Sequence, residues 1–173
     1  LYGTKIGSYS FLTYVHEIGH ALGLGHAGPY NGGGSYGSSA LFTYDSWQAS
    51  VMSYWAQDEN PNVDADYATP VTAMPADILG MQRMYGEPGA GSLTFGDTVY
   101  GVGHSLGGSY LGLVFDALAG SGTSSSVDGG PMSFVIYDVN GHDRLDFSYD
   151  TNDQIVDLRA GAISVRARRA TLP

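Results

Sequence analysis

The sequence contains no cysteine, and its seven basic residues are outnumbered by 17 acidic ones. Without cysteine there are no disulfides and no thiolate metal sites. The net charge of −10 disfavours binding to nucleic acid, which requires a basic surface. No apolar run approaches the roughly 20 residues of a membrane-spanning helix, so we expect no stable membrane insertion. A chain of 173 residues normally forms one domain or two small ones.

The most informative stretch, residues 16–26, reads His-Glu-Ile-Gly-His-Ala-Leu-Gly-Leu-Gly-His. His16 and His20 are four positions apart, so on an α-helix their rings project from nearly the same face. Gly23 can adopt the left-handed conformation that ends a helix, and the chain then brings His26 back toward the first two rings. Three neutral imidazoles with an open fourth position predict a catalytic zinc site.

Glu17 follows the first of these histidines and is rotated from it by about 100° on a helix. Its carboxylate can therefore reach a water on the metal without ligating the metal, and as general base it would take the proton of that water and return it to the leaving amine. The surrounding residues 9–23 are predicted to be helical because an apolar stripe recurs there, which we expect to pack on a core. The stripe consists of Phe11, Val15, Ile18 and Leu22.

Together with residues 50–55, Ser-Val-Met-Ser-Tyr-Trp, this motif resembles the metzincin metalloproteases, in particular the serralysin family of secreted bacterial endopeptidases. The resemblance continues in pieces through residues 77–79, 84–86, 96–101, 137–138 and 145–147. It implies a zinc-dependent, extracellular endopeptidase that acts on proteins or peptides. The chain would cover the second half of the catalytic domain and the start of a C-terminal β-roll domain. We expect it to be a monomer.

The resemblance also implies roles for two residues after the zinc motif. Tyr54 matches the tyrosine that can ligate the resting zinc, swings away when substrate binds and stabilises the oxyanion. Met52 matches the Met-turn methionine, which packs beneath the metal and does not coordinate it.

A second cation site, for calcium, is predicted where Asp, Asn and Gly cluster in residues 138–145. The turn fits half of a nonapeptide that binds calcium between the turns of a parallel β-roll. The resemblance pairs it with residues 94–98, whose carbonyls would help to hold the ion. An Asp/Asn/Gly turn without a metal is the alternative. The candidate ligands are Thr94, Gly96, Thr98, Asp138, Asn140, Gly141 and Asp143.

These patterns predict an α+β fold, with a partial metzincin domain in residues 1–90 and the start of the calcium-binding β domain in residues 91–173. A second helix is expected over residues 76–85, with Ile78, Met81, Met84 and Tyr85 on its buried side. Strands are expected at 97–102, 132–138, 154–158 and 162–166, with a further helix possible at 109–119. The glycine-rich residues 27–50 form a loop that borders the substrate cleft or is a plain surface connection.

Three departures from the family lead to further expectations. Residues 1–8 cannot supply the sheet that precedes the zinc helix in serralysins, so we expect the isolated chain to hydrolyse peptides poorly and to aggregate. Ala27 replaces the proline that usually follows the third histidine. The basic residues near the C-terminus, in the stretch 165–172, suggest a fragmentary or frameshifted reading frame. A catalytically impaired, secreted calcium-binding module therefore stays open as an alternative.

A different enzyme class, a serine hydrolase, is suggested by residues 103–107, Gly-His-Ser-Leu-Gly. They match the G-x-S-x-G nucleophile elbow of the α/β-hydrolase fold. Ser105 would be the nucleophile. That fold needs several parallel strands before the elbow, whereas residues 1–100 offer a zinc helix and loops, so zinc hydrolysis is the preferred interpretation. The partners of the serine would be Asp116, Asp128 or Asp138, followed by His142.

Overall fold

The computed structural model describes residues 3–121, 125–159, 162 and 164–166. They form a small α+β structure of a few helices and short strands, as expected from the sequence. The helices are α1 (Tyr9–Ala21), α2 (Tyr36–Ser39), α3 (Pro75–Tyr85) and α4 (Tyr110–Leu118), with a 3₁₀ turn at Gln57–Glu59. The strands are β1 (Thr69–Pro70), β2 (Val99–Gly101), β3 (Met132–Ser133), β4 (Arg144–Asp146), β5 (Gln154–Ile155) and β6 (Val165–Arg166).

Helix α1 begins and ends at residues suited to those positions. Ser8 is the N-cap, and its Oγ accepts a hydrogen bond from the backbone N–H of Phe11 at 3.2 Å. At the other end Gly23 has a φ of 96°, the left-handed conformation that the sequence predicts for it. The predicted helix is therefore confirmed, although it stops at Ala21.

The buried side of α1 is centred on Leu12 and Gly19. A Cβ at position 19 would lie 2.5 Å from the Sδ of Met52, so the absence of a side chain there lets the helix rest directly on this methionine. The predicted apolar stripe is wrong at its C-terminal end, because Ile18 is 57% exposed and Leu22 is 38% exposed. Ile18 is turned about 120° from Leu12 around the helix, and Leu22 lies at the helix end.

Helix α3 confirms the predicted helix, with Pro75 in its first turn. The predicted buried side is wrong at its C-terminal end, since Met84 and Tyr85 are 45% and 67% exposed, whereas the other two predicted residues are half-buried. The residue of α3 that is fully buried is Asp77. The helix is joined to the rest of the structure at its first turn, where this carboxylate accepts several hydrogen bonds, and at its last residue, where the hydroxyl of Tyr85 donates to the carbonyl of Leu22 at 2.8 Å.

A parallel pairing joins the segment before β2 to the segment before β4. Phe95 pairs with Asn140, and β2 then pairs with β4 in the same continuous register. Glycines permit this close approach: a Cβ at Gly101 would lie 2.0 Å from the carbonyl oxygen of Asp146, and Gly101 has a φ of 90°. The strand predicted at 97–102 is therefore present as the three residues of β2.

The other strands are shorter than their β-prone sequences. Strand β1 pairs with β3 in parallel, and β5 pairs with β6 in antiparallel fashion, each over two residues. The runs predicted at 132–138 and 154–158 thus become strands only at their first two positions. Of the run 162–166, residue 163 lies outside the described residues. A strand needs a partner in register, which the propensity of one segment cannot supply.

Three apolar clusters form the core. The first lies beneath α1 and includes Leu12, Trp47, Val51, Met52, Ala56 and Met74. The second contains Ile6, Val71, Val114 and Val127, and the third contains Tyr100, Leu106 and Phe115. The latter two involve α4, which confirms the possible helix at 109–119. The pairing of β1 with β3 and the second apolar cluster each join residues from the two sides of position 90. The domain boundary expected at that position stays a prediction.

No helix within the described ranges combines the length and apolarity that crossing a membrane requires.

Candidate metal centre

Three imidazole rings meet where α1 and the chain after it face each other. The Nε2 atom of His26 lies 3.0 Å from that of His20 and 3.3 Å from that of His16. Tetrahedral zinc, with Zn–N distances of about 2.0–2.1 Å, separates its ligand nitrogens by about 3.3–3.4 Å. The three side chains therefore fit a single zinc ion, and the structure brings together the three histidines that the motif predicts.

The opposite nitrogen of each ring is hydrogen-bonded to a backbone carbonyl. The Nδ1 atom of His16 lies 2.8 Å from the carbonyl oxygen of Val51, and that of His20 lies 2.9 Å from the carbonyl oxygen of Leu24. The Nδ1 of His26 lies 2.8 Å from the carbonyl oxygen of Tyr30. A carbonyl only accepts, so each Nδ1 must carry the proton. All three Nε2 lone pairs are then directed at the common point, which is the tautomer that metal ligation requires.

The environment of His26 also favours the neutral ring. Burial holds the pKa of His26 below its ordinary value, and the neighbouring His20 and His16 lower it further. The hydrogen bond to Tyr30 and the charge of Glu17 act in the opposite direction but are outweighed. A neutral imidazole is the form that binds a metal. Glu17 itself lies on an exposed part of α1, next to the first ligand.

Asp77 connects the Met-turn to α3, and the sequence analysis missed this role. One carboxylate oxygen accepts from the Oγ–H of Ser50 at 2.5 Å, and the other accepts from the backbone N–H groups of Val51 and Met74, both at 2.8 Å. Burial raises the pKa of Asp77, and these hydrogen bonds oppose that rise. Because the carbonyl of Val51 accepts from the Nδ1–H of His16, Asp77 indirectly supports a candidate metal ligand. An acidic residue in the first turn of the predicted α3 was the available signal.

Met52 and Tyr54 lie close to the histidines. Met52 is fully buried and contacts α1 at Gly19, as the Met-turn resemblance implies. The ring of Tyr54 lies 4.6 Å from that of His26 and 6.1 Å from that of His16, between ring centroids. Its hydroxyl oxygen accepts a hydrogen bond from the backbone N–H of Gly32 at 3.1 Å. The glycine-rich loop thus reaches the site through Gly32.

Tyr30 is a second residue that sequence reasoning missed. It is buried and stacks on the ring of His26, with centroids 5.4 Å apart and planes inclined by 21°. Its hydroxyl donates to both carboxylate oxygens of Asp45, each at 3.1 Å. Burial and the charge of Asp45 together raise the pKa of Tyr30 far above its ordinary value, so the hydroxyl stays protonated. One tyrosine among 13 carries no distinguishing signal in the sequence.

The two segments proposed for calcium lie side by side. The backbone N–H of Gly96 donates to the carbonyl of Asn140 at 3.2 Å, and the backbone N–H of Thr98 donates to Oδ1 of Asp143 at 3.0 Å. Gly141 packs so closely on Gly96 that a Cβ there would lie 2.4 Å from the carbonyl oxygen of Gly96. The structure therefore brings together the two segments that the resemblance pairs.

The remaining calcium candidates are hydrogen-bonded to other groups of the protein. Asp138 accepts from the backbone N–H of Asn140 at 3.2 Å and from the hydroxyl of Tyr100 at 2.6 Å. Thr94 donates its hydroxyl hydrogen to the carbonyl of Tyr137 at 3.1 Å. Among the described residues, a shared ion is within reach of three His, Asp or Glu side chains only at the histidine cluster. Calcium would therefore depend on backbone carbonyls as well as carboxylates.

The residues of the serine-hydrolase alternative make hydrogen bonds to other partners in the structure. The Oγ of Ser105 accepts from the backbone N–H of Val99 at 3.0 Å, while the backbone N–H of His142 donates to Asp97. A nucleophile elbow holds its serine in a strained turn, yet no non-glycine residue in the described ranges has a positive φ. His104 donates from Nε2 to Asp116 at 3.2 Å and accepts at Nδ1 from a backbone N–H. Asp128 accepts from the backbone N–H of Gly130.

Comparison with known proteins gives a consistent answer. No protein-family model matches the chain. Serralysin C of Dickeya chrysanthemi is 37% identical over 163 residues, which cover 90% of this chain and 30% of that protein. Serralysin of Proteus mirabilis is 37% identical over 165 residues, covering 92% of this chain and 30% of that protein. The metallopeptidase AprA of Pseudomonas marginalis is 30% identical over 164 residues, covering 92% and 31% respectively.

The similarity extends far beyond the zinc motif, since it covers about nine-tenths of the chain in each of these comparisons. The resemblance read from the motifs is thereby confirmed: the chain is serralysin-like over about nine-tenths of its length, and it spans about 30% of the length of the relatives it matches.

Proposed function

We propose that the chain provides the metal centre of a zinc-dependent endopeptidase that hydrolyses peptide bonds in extracellular proteins. His16, His20 and His26 hold the zinc ion through their Nε2 atoms. A zinc ion bound there supplies Lewis-acid chemistry, because it polarises the carbonyl of a peptide bond and lowers the pKa of a water molecule. The observation that carries this proposal is the convergence of three Nε2 atoms whose Nδ1–H groups all donate to backbone carbonyls.

Glu17 is the general base. It lies one position after the first ligand, on an exposed part of α1 where water and substrate have access. A carboxylate oxygen of Glu17 accepts a proton from the attacking water, and the same proton passes to the nitrogen of the leaving amine. One water is consumed, and the products are a carboxylic acid and an amine.

Tyr54 is the oxyanion donor. Its hydroxyl oxygen already accepts from Gly32, so the hydroxyl hydrogen can donate to a developing negative charge on the substrate. Its ring contacts with His26 and His16 place it beside the ligands. Met52 has no chemical role and supports α1 from below, at Gly19.

The paired segments at residues 94–98 and 138–143 bind calcium between successive parallel turns. Support comes from their continuous parallel register and from the oxygen atoms of Asp138, Asp143 and the nearby carbonyls. In this proposal residues 1–90 belong to the zinc domain, residues 91–173 begin a calcium-stabilised β-roll domain, and the protein is a secreted monomer. A chain that binds calcium but has no protease activity would instead be a calcium-binding module.

The decisive experiment is a casein-hydrolysis assay with chelation and re-addition of zinc. We would compare this chain with a chimaera in which the N-terminal region of Serralysin C precedes it. We expect weak activity from the chain alone and clear activity from the chimaera, which 1,10-phenanthroline abolishes and added zinc restores. No fluorophosphonate should label Ser105. Activity that resists the chelator, or an inactive but folded chimaera, would contradict the proposed function.

A further inference from the structure

Tyr30 makes two separate contacts with the third histidine. Its backbone carbonyl accepts from the Nδ1–H of His26 at 2.8 Å. Its ring stacks on the imidazole, with centroids 5.4 Å apart and an interplanar angle of 21°. The first contact fixes the tautomer and the second limits rotation of the ring plane. A single residue therefore controls both properties of His26 on which the direction of its Nε2 lone pair depends.

Tyr30 is itself held by a buried carboxylate. Its hydroxyl donates to both oxygens of Asp45, and the two residues are only 4% and 3% exposed. Placing a carboxylate in the interior is costly unless its hydrogen bonds are specific. Here the carboxylate of Asp45 accepts from the phenol of Tyr30, which stacks on His26. We therefore associate the free-energy cost of burying Asp45 with the orientation of His26.

The support for Asp45 extends into the core. Asn60 is 1% exposed, and its Nδ2 donates to the backbone carbonyls of Asp45 at 3.2 Å and Thr43 at 3.1 Å. The backbone around the carboxylate is thus fixed by a buried amide. A continuous set of contacts runs from Asn60 through Asp45 and Tyr30 to His26.

The same residue also packs on the proposed oxyanion donor. The rings of Tyr30 and Tyr54 have centroids 4.7 Å apart, and Gly32, two residues further on, donates its N–H to the Tyr54 hydroxyl. Trp55 also packs edge-on against Tyr30, with centroids 4.4 Å apart. The rings of Tyr30, His26 and Tyr54 therefore form one cluster in which each ring contacts the other two.

We propose that Tyr30, anchored by Asp45, is a positioning residue that presets the orientation of His26 for zinc. This inference deepens the proposed function and rests on it, because zinc is taken as the ion that the histidines bind. It predicts that the hydrogen bond between Tyr30 and Asp45 contributes to metal affinity although neither side chain contacts the metal.

The test compares hydroxyl deletions in two tyrosines of the segment that follows α1. Tyr30→Phe keeps the ring and the backbone carbonyl but removes the bond to Asp45. The matched control is Tyr36→Phe, since Tyr36 donates its hydroxyl hydrogen to the carbonyl of Thr43 at 2.7 Å and packs on Trp55. Asp45→Ala removes the acceptor, and Asp45→Asn restores an oxygen that can accept from the phenol.

Three measurements on the 173-residue chain distinguish positioning from packing. They are zinc affinity by competition with a chromophoric chelator, the visible absorption spectrum after substitution with cobalt, and thermal unfolding with the metal removed. We expect Tyr30→Phe and Asp45→Ala to lower zinc affinity by about 10-fold or more, the range for groups that orient metal ligands. Their cobalt spectra should change, Asp45→Asn should recover part of the affinity, and Tyr36→Phe should stay within about twofold of the wild type.

Zinc affinity and a cobalt spectrum unchanged in Tyr30→Phe would overturn the inference, even if the metal-free variant unfolded at a lower temperature. An equal loss in Tyr36→Phe would also overturn it, because the effect would then come from the loop as a whole. If Tyr30→Phe does not fold, Asp45→Ala and Asp45→Asn carry the same comparison. If the wild-type chain binds no zinc, the proposed function fails together with this inference, whereas zinc binding unaffected by Tyr30 removes this inference alone.

Discussion

Replacing Glu17 by alanine is expected to abolish casein hydrolysis while the zinc ion stays bound. Its side chain is not among the three that converge through Nε2, so its removal leaves the metal ligands in place. A positioned general base contributes about 10²–10⁴-fold to the rate of a reaction of this kind. We therefore expect a fall of that size in kcat/KM, measured with a fluorogenic peptide or casein in the active chimaera, with zinc content followed in parallel.

Two further variants make this result specific to the carboxylate. Glu17→Gln keeps the shape of the side chain but cannot take a proton, and it should be as inactive as the alanine variant. As a control, Glu87→Ala removes another exposed glutamate, which lies in the chain after α3. This variant should retain full activity. If Glu17→Gln turns over substrate at the wild-type rate, Glu17 has no place in the mechanism.

Replacing Asp77 by alanine is expected to lower the free energy of unfolding by about 3–5 kcal/mol, the range for breaking a buried charged network. The variant leaves three donors without their acceptor in the interior, namely the hydroxyl of Ser50 and the N–H groups of Val51 and Met74. Each such group costs about 1–3 kcal/mol when it is buried unpaired. Urea denaturation of the metal-free chain, followed by circular dichroism, measures this loss.

The same variant should weaken zinc binding, because the backbone of Val51 carries both the N–H that Asp77 holds and the carbonyl that orients His16. Asp64→Ala is a suitable control, since it removes an exposed carboxylate and should change the free energy of unfolding by less than about 0.5 kcal/mol. Should Asp77→Ala unfold at the same urea concentration as the wild type, the carboxylate does not hold the Met-turn in place.

The zinc motif was predictable because its geometry is local. His16 and His20 share one helical face, and Gly23 turns the chain toward His26, so spacing alone places the three rings close together. The start of α3 was likewise predictable from Pro75, and the turn after α1 from Gly23. Nearest-neighbour chemistry is sufficient for features of this kind.

Features that depend on distant contacts could not be predicted in the same way. The exposed Met84 and Tyr85 have the periodicity of a buried face, but the fully buried residue of α3 is Asp77. Tyr30 and Asp45 are 15 positions apart, and nothing in their spacing indicates that one binds the other. The strands are short because each requires a partner in register, which periodicity in one segment does not specify.

The most direct test of the account is the zinc content of the chain and of five single alanine variants, one for each of its histidines. After loading with zinc and extensive dialysis, elemental analysis should find about one ion per chain in the wild type, as one three-histidine site requires. His16→Ala, His20→Ala and His26→Ala should each lose the ion, whereas His142→Ala, and His104→Ala if it folds, should keep it. Zinc retained by the first three variants, or absent from the wild type, would contradict the central claim that these three imidazoles form one metal site.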